Sequence, residues 1–224
     1  MRSKLSYIYN KVKSIVTADL KSAVSLYRHS FSLLFLSIIL ALASCNAENS
    51  ISTRYPCHFS LNTNLHPGTS IETALNGIGL FTMVSAQKGN GTWTILSTLN
   101  DGKNNTEKIT LTTAKENYAD YTYIGAGNNT KDVTKNGFIL GCTNFNGYAA
   151  WDRQCLNCIL QYGGTNYPLE WTGNRQSVIC NKCKRTYSLE TGAITSGGQS
   201  KQDQPLMRYQ VSYGGIGSIL RVGN

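Results

Sequence analysis

The sequence predicts an all-β fold. Three observations carry this: short segments rich in β-branched and aromatic residues recur about every ten residues. Gly, Asn and Asp turns separate them, and long Leu/Ala/Glu/Lys runs of helical period are missing from the body of the chain. Regularly spaced strands of this kind build a sandwich or barrel.

Strands are expected in "RYPCHFSLN", "GLFTMVSAQ", "GTWTILSTL", "EKITLTT" and "DYTYIGAG", with turns at "KGNG", "NDGKNN" and "GNNTKD". "GFILGCTNF" and "YAAWD" flank Asn146-Gly147, a strong hairpin signal. "YPLEW", "SVICN", "RTYSL", "MRYQVSY" and "SILRV" complete the set. The one short helix expected is "SIETALNG", with Ser70 as N-cap, Glu72 in the first turn and Gly77 just past its end. Residues ~150–192 break the alternation with Cys, Asn and Gly, and read as an inserted lobe built around a site.

The first 44 residues read as an export leader rather than as part of the fold. "FSLLFLSIILALAS" (31–44) is an apolar run shorter than the ~20 residues a membrane helix needs, and basic residues precede it. Its end, Leu42-Ala43-Ser44-Cys45, resembles the lipobox of bacterial lipoproteins, which implies lipidation of Cys45 and a mature chain starting there. A plain signal peptide is the alternative. Upstream, Leu5, Ile8, Val12, Ile15, Val16, Leu20, Val24 and Tyr27 recur at helical spacing among lysines, a pattern suited to an anionic membrane face or to a relaxed leader. "NAENSIST" then reads as a tether (45–53), and the β domain as 54–224. These features predict a cell-envelope protein, exported and anchored to a membrane through lipid.

The formal charge of +9 is mostly leader, where six basic side chains oppose Asp19, and it falls to about +4 beyond residue 44. Lys182, Lys184 and Arg185 are the one close basic group. "NKCKR" is too short for a nucleic-acid footprint and reads as a solvated loop tip.

Seven cysteines are present. Cys57 and Cys142 stand alone and could be a cross-sheet disulfide or buried free thiols. Cys155/Cys158 and Cys180/Cys183 form two Cys-x-x-Cys pairs with 21 residues between them, the sequence form of a metal ribbon. Two intervening residues allow a tight knuckle to turn both sulfurs one way, and a strand pair between knuckles brings the second set opposite the first. Four thiolates at ~2.3 Å suit zinc. They also suit a 2Fe-2S cluster, and an oxidising envelope would favour disulfides.

The sequence around the pairs resembles Rieske iron–sulfur domains. "AAWDRQCLN" is similar to their first cluster loop and "CNKCKRTYSLETG" to their second, over residues ~137–195. Cys155 and Cys180 match the two Rieske cysteines, Tyr187 the aromatic, and Leu189, Thr191 and Gly192 the closing turn. The overall pattern is similar to Rieske-like lipoproteins of Bacteroidetes-type bacteria. The resemblance implies a Rieske-like β-sandwich or barrel carrying a small rubredoxin-like metal-binding lobe. The ligand set departs from it: Asn157 and Cys183 stand at the two histidine positions, Lys184 replaces a glycine, and Cys158 is an added ligand. His29, His58 and His66 are far away in sequence. A four-cysteine site in a Rieske-like fold is therefore expected, without the raised potential that histidine ligation brings.

Export favours zinc as the occupant. A lipobox leader without twin arginine implies passage in the unfolded state, which would not carry a cluster assembled beforehand. Zinc needs no assembly machinery, and in small zinc peptides its binding contributes about 10–16 kcal/mol to folding. The lead expectation is a non-catalytic, anchored metal-binding protein. Its lobe tip, with Asn157, Lys182, Lys184 and Arg185, would meet an envelope protein or a redox partner. An electron carrier with a 2Fe-2S cluster is the alternative. A third is a surface binding protein using Tyr148, Trp151, Tyr162, Tyr167 and Trp171 as a platform. An enzyme is the weakest class, since His58 and His66 have no acid placed to orient them in sequence, and Asp152 beside Arg153 reads as a turn-fixing pair.

Overall fold

The computed structural model describes residues 51–127 and 136–224. Cys45, His29 and the leader lie outside the described residues, as does most of "GNNTKD". The described chain is mostly β, with twelve strands in two sheets.

The larger sheet is a strongly curled half-barrel. It holds β1 (His58–Asn62), β2 (Phe81–Gly89), β3 (Thr92–Leu99), β4 (Thr106–Thr110), β5 (Phe138–Cys142), β6 (Tyr148–Asp152), β11 (Arg208–Ser212) and β12 (Ile219–Gly223), in the order β1-β12-β11-β6-β5-β2-β3-β4. All its pairings are antiparallel. The smaller sheet contains β7 (Leu169–Trp171), β8 (Ser177–Cys180), β9 (Thr186–Ser188) and β10 (Ile194–Ser196), in the order β10-β9-β8-β7. It lies in sequence between β6 and β11, which are themselves neighbours in the large sheet. The small sheet is thus an insertion, as the break in alternation near residue 150 predicts.

Alternation along the central strands explains how both faces are used. Side chains one residue apart point to opposite faces of a sheet. Val84, Phe138, Leu140 and Ala150 enter one core with Phe59, Leu61, Ile95, Tyr209 and Val222, closed by Ile71 and Leu75 of helix α1 (Ser70–Asn76). Met83, Ile139, Ala149 and Trp151 enter a second core with Leu169, Val178, Tyr187 and Leu189 of the lobe and with four cysteines. Strands β5 and β6, and β2 as far as Ala86, are buried on both faces, and β5 and the Ala149–Trp151 part of β6 accordingly read as short apolar runs.

Trp151 fastens the lobe to the large sheet. Its indole is 1% exposed, and Nε1 donates to Leu189 O at 3.1 Å. Gly192, at φ +74°, presses against this ring; a Cβ there would lie 2.8 Å from it. Only glycine satisfies both the left-handed backbone and the close approach.

Four details correct the sequence reading. The N-cap of α1 is Thr69, whose hydroxyl accepts from Glu72 N, while Ser70 turns its hydroxyl to Glu107 at 2.7 Å. "DYTYIGAG" is not a strand: Asp120 folds back to accept from Thr122 N, and only Ile124 makes an isolated bridge, to Cys57. Strand β10 was not expected. Two further helices, α2 (Ala114–Asn117) and α3 (Leu156–Tyr162), join the one expected, with a 3-10 turn at Thr63–Leu65. Helix α3 escapes a sequence reading because Cys155, its N-cap, supplies no side-chain capping bond.

Candidate metal centre

The first cysteine pair opens α3. Cys155 sits at the N-cap with extended backbone and Cys158 follows within the first turn, so a helix start replaces the knuckle expected there. Cys155 is tied down on both sides: its N–H donates to Tyr167 O at 2.9 Å, and its carbonyl accepts from Ile159 N at 3.1 Å. The second pair does form a knuckle. Cys180 ends β8, the chain turns, and Lys184 N returns to Cys180 O at 2.8 Å while Cys180 N reaches Arg185 O at 3.0 Å. Lys184 takes φ +61°, a left-handed conformation. The β7–β8 hairpin, paired from Leu169↔Cys180 to Trp171↔Val178, carries the second pair to the first.

The four sulfurs converge. Cys155 Sγ is 3.7 Å from Cys183 Sγ, Cys158 Sγ is 3.5 Å from Cys180 Sγ, and all four lie within 4.8 Å of one another. Four sulfurs at ~2.3 Å around one ion would stand about 3.8 Å apart, so the donor set fits a tetrahedral ion. A disulfide needs about 2.05 Å, and the six described cysteines are all free thiols. The four-cysteine group can therefore hold a metal ion. Burial is complete at Cys155, Cys158 and Cys180 and nearly so at Cys183.

The surroundings order these thiols electrostatically. The thiol of Cys155 donating to it, with N–H groups of Cys183 and Lys182, pulls Cys180 down to about 5. Burial pushes Cys158 up to about 12, and Cys155 is raised by its bond to Cys180 and by burial. Binding a cation among these sulfurs favours release of the thiol protons.

A shell of polar groups braces the site. Tyr187 Oη lies 3.2 Å from Cys155 Sγ and accepts from Asn157 Nδ2 at 2.9 Å. Asn157 also donates to Gln204 O at 2.7 Å and accepts from Gln204 N at 2.8 Å, which straps the stretch before β11 across the lobe. Arg185 is 4% exposed and makes a forked ion pair with Asp203, at 2.8 and 3.0 Å. The Arg185 charge holds the Asp203 carboxyl well below the usual carboxylate range. Asp203 sits in a polar loop, "KQDQP", with no motif to announce it.

Several expected sites take different form. Asn157 and Arg185 are buried bracing groups, so among the four residues assigned to the tip only Lys182 and Lys184 are exposed. The five aromatics do not share a platform: Trp151 is in the second core, while Tyr148 packs against the first beside Tyr213. Tyr162 and Tyr167 do pair, at 6.2 Å, with Lys182 over the Tyr162 ring. Cys57 and Cys142 are not joined. Cys57 is fully buried in the first core, where burial raises its thiol, and Cys142 contacts Thr143 O. His66 does have an orienting acid, Glu116 Oε1 at 2.6 Å, from a residue 50 positions away. Neither His66 nor His58 joins the cysteine group. Asp152 is fully buried and accepts from Ala126 N, Gln154 N and Tyr209 Oη, which makes it a structural hub.

Comparison with protein-family models, curated proteins and solved structures returns no match. Among the described residues, no helix is long and apolar enough to cross a membrane.

Proposed function

We propose that the chain is an exported cell-envelope lipoprotein, anchored through Cys45, whose Rieske-like β domain carries a structural zinc ion on Cys155, Cys158, Cys180 and Cys183. The observation that carries the metal reading is the mutual distance of four buried sulfurs, all under 4.8 Å. That spacing favours one ion over a 2Fe-2S cluster, which divides its cysteines between two metals and spreads them further apart. Four protein ligands leave no open position, the mark of a structural rather than a catalytic zinc site.

When bound, zinc supplies a redox-inert four-thiolate cross-link. The protein's own groups do the rest. Backbone N–H groups of Lys182 and Cys183 face the Cys180 sulfur and offset its negative charge. The Arg185 guanidinium, set by Asp203, adds a fixed positive charge beside Cys183. Tyr187 and Asn157 hold the Cys155 side chain in place. The cross-link joins the start of α3 to the β8–β9 turn and closes the second core. The role is non-catalytic. The exposed Lys182 and Lys184 are the part of the lobe left to meet an envelope partner, and nucleic acid is not among the partners proposed.

Two measurements test this. Metal analysis of the purified protein is expected to give about one zinc per chain, removed by a chelator with loss of near-UV dichroism. Iron with acid-labile sulfide would replace this reading with the electron-carrier one. In cells, Cys45→Ala is expected to move the protein from the membrane fraction to the soluble fraction; retention in the membrane would remove the lipid anchor from the account.

A further inference from the structure

Beside the lobe, the β7–β8 hairpin meets β2 and β3 around a cleft of about 550 Å³ that none of the four cysteines lines. Met83, Thr98, Asn104, Arg153, Trp171 and Arg175 are among its lining residues. Two guanidinium groups face one acid, Glu170, whose carboxylate accepts from Asn181 Nδ2 at 2.7 Å.

Two donors at this wall have no acceptor: Trp171 Nε1 and Arg175 Nη1 are both buried and make no hydrogen bond. Buried donors are nearly always paired in folded proteins, so each such case calls for a missing acceptor. Arg175 is also held in an unusual way. Its φ is +55°, a left-handed value for a residue that is not glycine. Its N–H donates to Thr172 O at 3.0 Å, its carbonyl accepts from Asn100 Nδ2 at 2.9 Å, and its Nη2 donates to Asn104 Oδ1 at 2.6 Å. One edge of the guanidinium is thus anchored and the other is unengaged. Backbone strain maintained by surrounding bonds concentrates where a ligand is held.

We propose that this cleft binds the phosphate or sulfate group of a small molecule. The guanidinium fork of Arg175 matches oxyanion geometry, Trp171 Nε1 supplies a further donor, and Met83 offers an apolar wall to a carbon skeleton. The two orphan donors do not touch solvent as the chain stands, so occupancy shifts a side chain at the wall. The neighbouring turn residues Gly173 and Asn174 are exposed and leave room for this. This inference does not depend on which metal the cysteines hold.

The test is titration of the full-length, metal-loaded chain in detergent with inorganic phosphate, inorganic sulfate, glucose 6-phosphate and glucose, followed by tryptophan fluorescence and calorimetry. The expected result is saturable binding of the anions and none of glucose. Tighter binding of glucose 6-phosphate than of phosphate assigns the group to an organic ester, and equal binding to the free anion. Arg175→Gly suits the left-handed backbone and so preserves the fold while removing the guanidinium; it is expected to weaken binding at least about tenfold. Trp171→Phe is expected to abolish the fluorescence response. Absence of saturable anion binding up to about 20 mM, or binding undiminished in Arg175→Gly protein of unchanged metal content, overturns the proposal.

Discussion

Cys155 and Cys183 are 28 residues apart in the chain, yet their sulfurs lie 3.7 Å from each other. Cys158 and Cys180 meet in the same way at 3.5 Å. Each contact joins one Cys-x-x-Cys pair to the other, so the site ties two separate pieces of backbone, the start of α3 and the end of β8.

This cross-link predicts how a ligand variant behaves. Cys180→Ala is expected to lose tightly bound metal and to destabilise the domain by about 3 kcal/mol or more, lowering Tm by about 6–12 °C. Thermal unfolding followed by circular dichroism measures this. A chelator should lower the Tm of the wild type and leave the variant unchanged. Equal sensitivity of the two proteins to chelator would contradict a role for Cys180.

Asp152 predicts a pH dependence. Burial pushes its carboxyl up to about 6, against the opposing bonds from Tyr209, Ala126 and Gln154. A carboxyl raised on folding contributes stability that is fully present below its unfolded value and is lost as pH rises through the folded one. The wild type should therefore lose stability relative to Asp152→Asn between pH ~4 and ~6, by about 3 kcal/mol at most. Denaturant titrations of both proteins across that range measure the difference, and a difference constant with pH would refute the assignment. The Asn variant also carries a pH-independent penalty, because its amide nitrogen faces donors.

Lys184 predicts an inverted substitution pattern. At φ +61° a side chain is strained and glycine is not. Lys184→Gly is expected to be neutral or to stabilise by up to about 1 kcal/mol, whereas Lys184→Ile should cost about 1–2 kcal/mol. Stability measurements on the metal-loaded proteins settle the order.

The Trp151–Gly192 contact predicts how firmly the lobe is docked. Gly192→Ala places a methyl group 2.8 Å from the indole at φ +74°, and is expected to cost about 1–3 kcal/mol. Trp151→Ala should cost about 3–5 kcal/mol by opening a cavity between the sheets. Faster amide exchange in β9 and β10 than in β2 and β3 would accompany both changes; uniform exchange across the two sheets would show that the contact is not what docks the lobe.

Local chemistry made much of the fold legible. Apolar alternation and Asn/Gly turns mark most of the strands, and Asn146-Gly147 does turn between β5 and β6, with Gly147 at φ +66°. The spacing of the four cysteines was enough to predict their convergence. What stayed hidden depends on partners distant in sequence. Arg185 looked solvent-facing because Asp203, 18 residues later, carries no signal of its own. His66 looked unpartnered because Glu116 comes from helix α2, 50 residues further on. Asn157 looked like part of an exposed tip, but its amide is consumed by Tyr187 and Gln204. Trp151 read as one of several surface aromatics because alternation along β6 gives the face of a side chain, not which layer covers that face.

The central claim is that four thiolates surround one zinc ion, and X-ray absorption at the zinc edge of the purified protein tests it most directly. The account predicts a single shell of about four sulfurs at ~2.3 Å with no nitrogen or oxygen ligands. Nitrogen or oxygen in that shell, iron in place of zinc, or cysteines recovered as disulfides would contradict it.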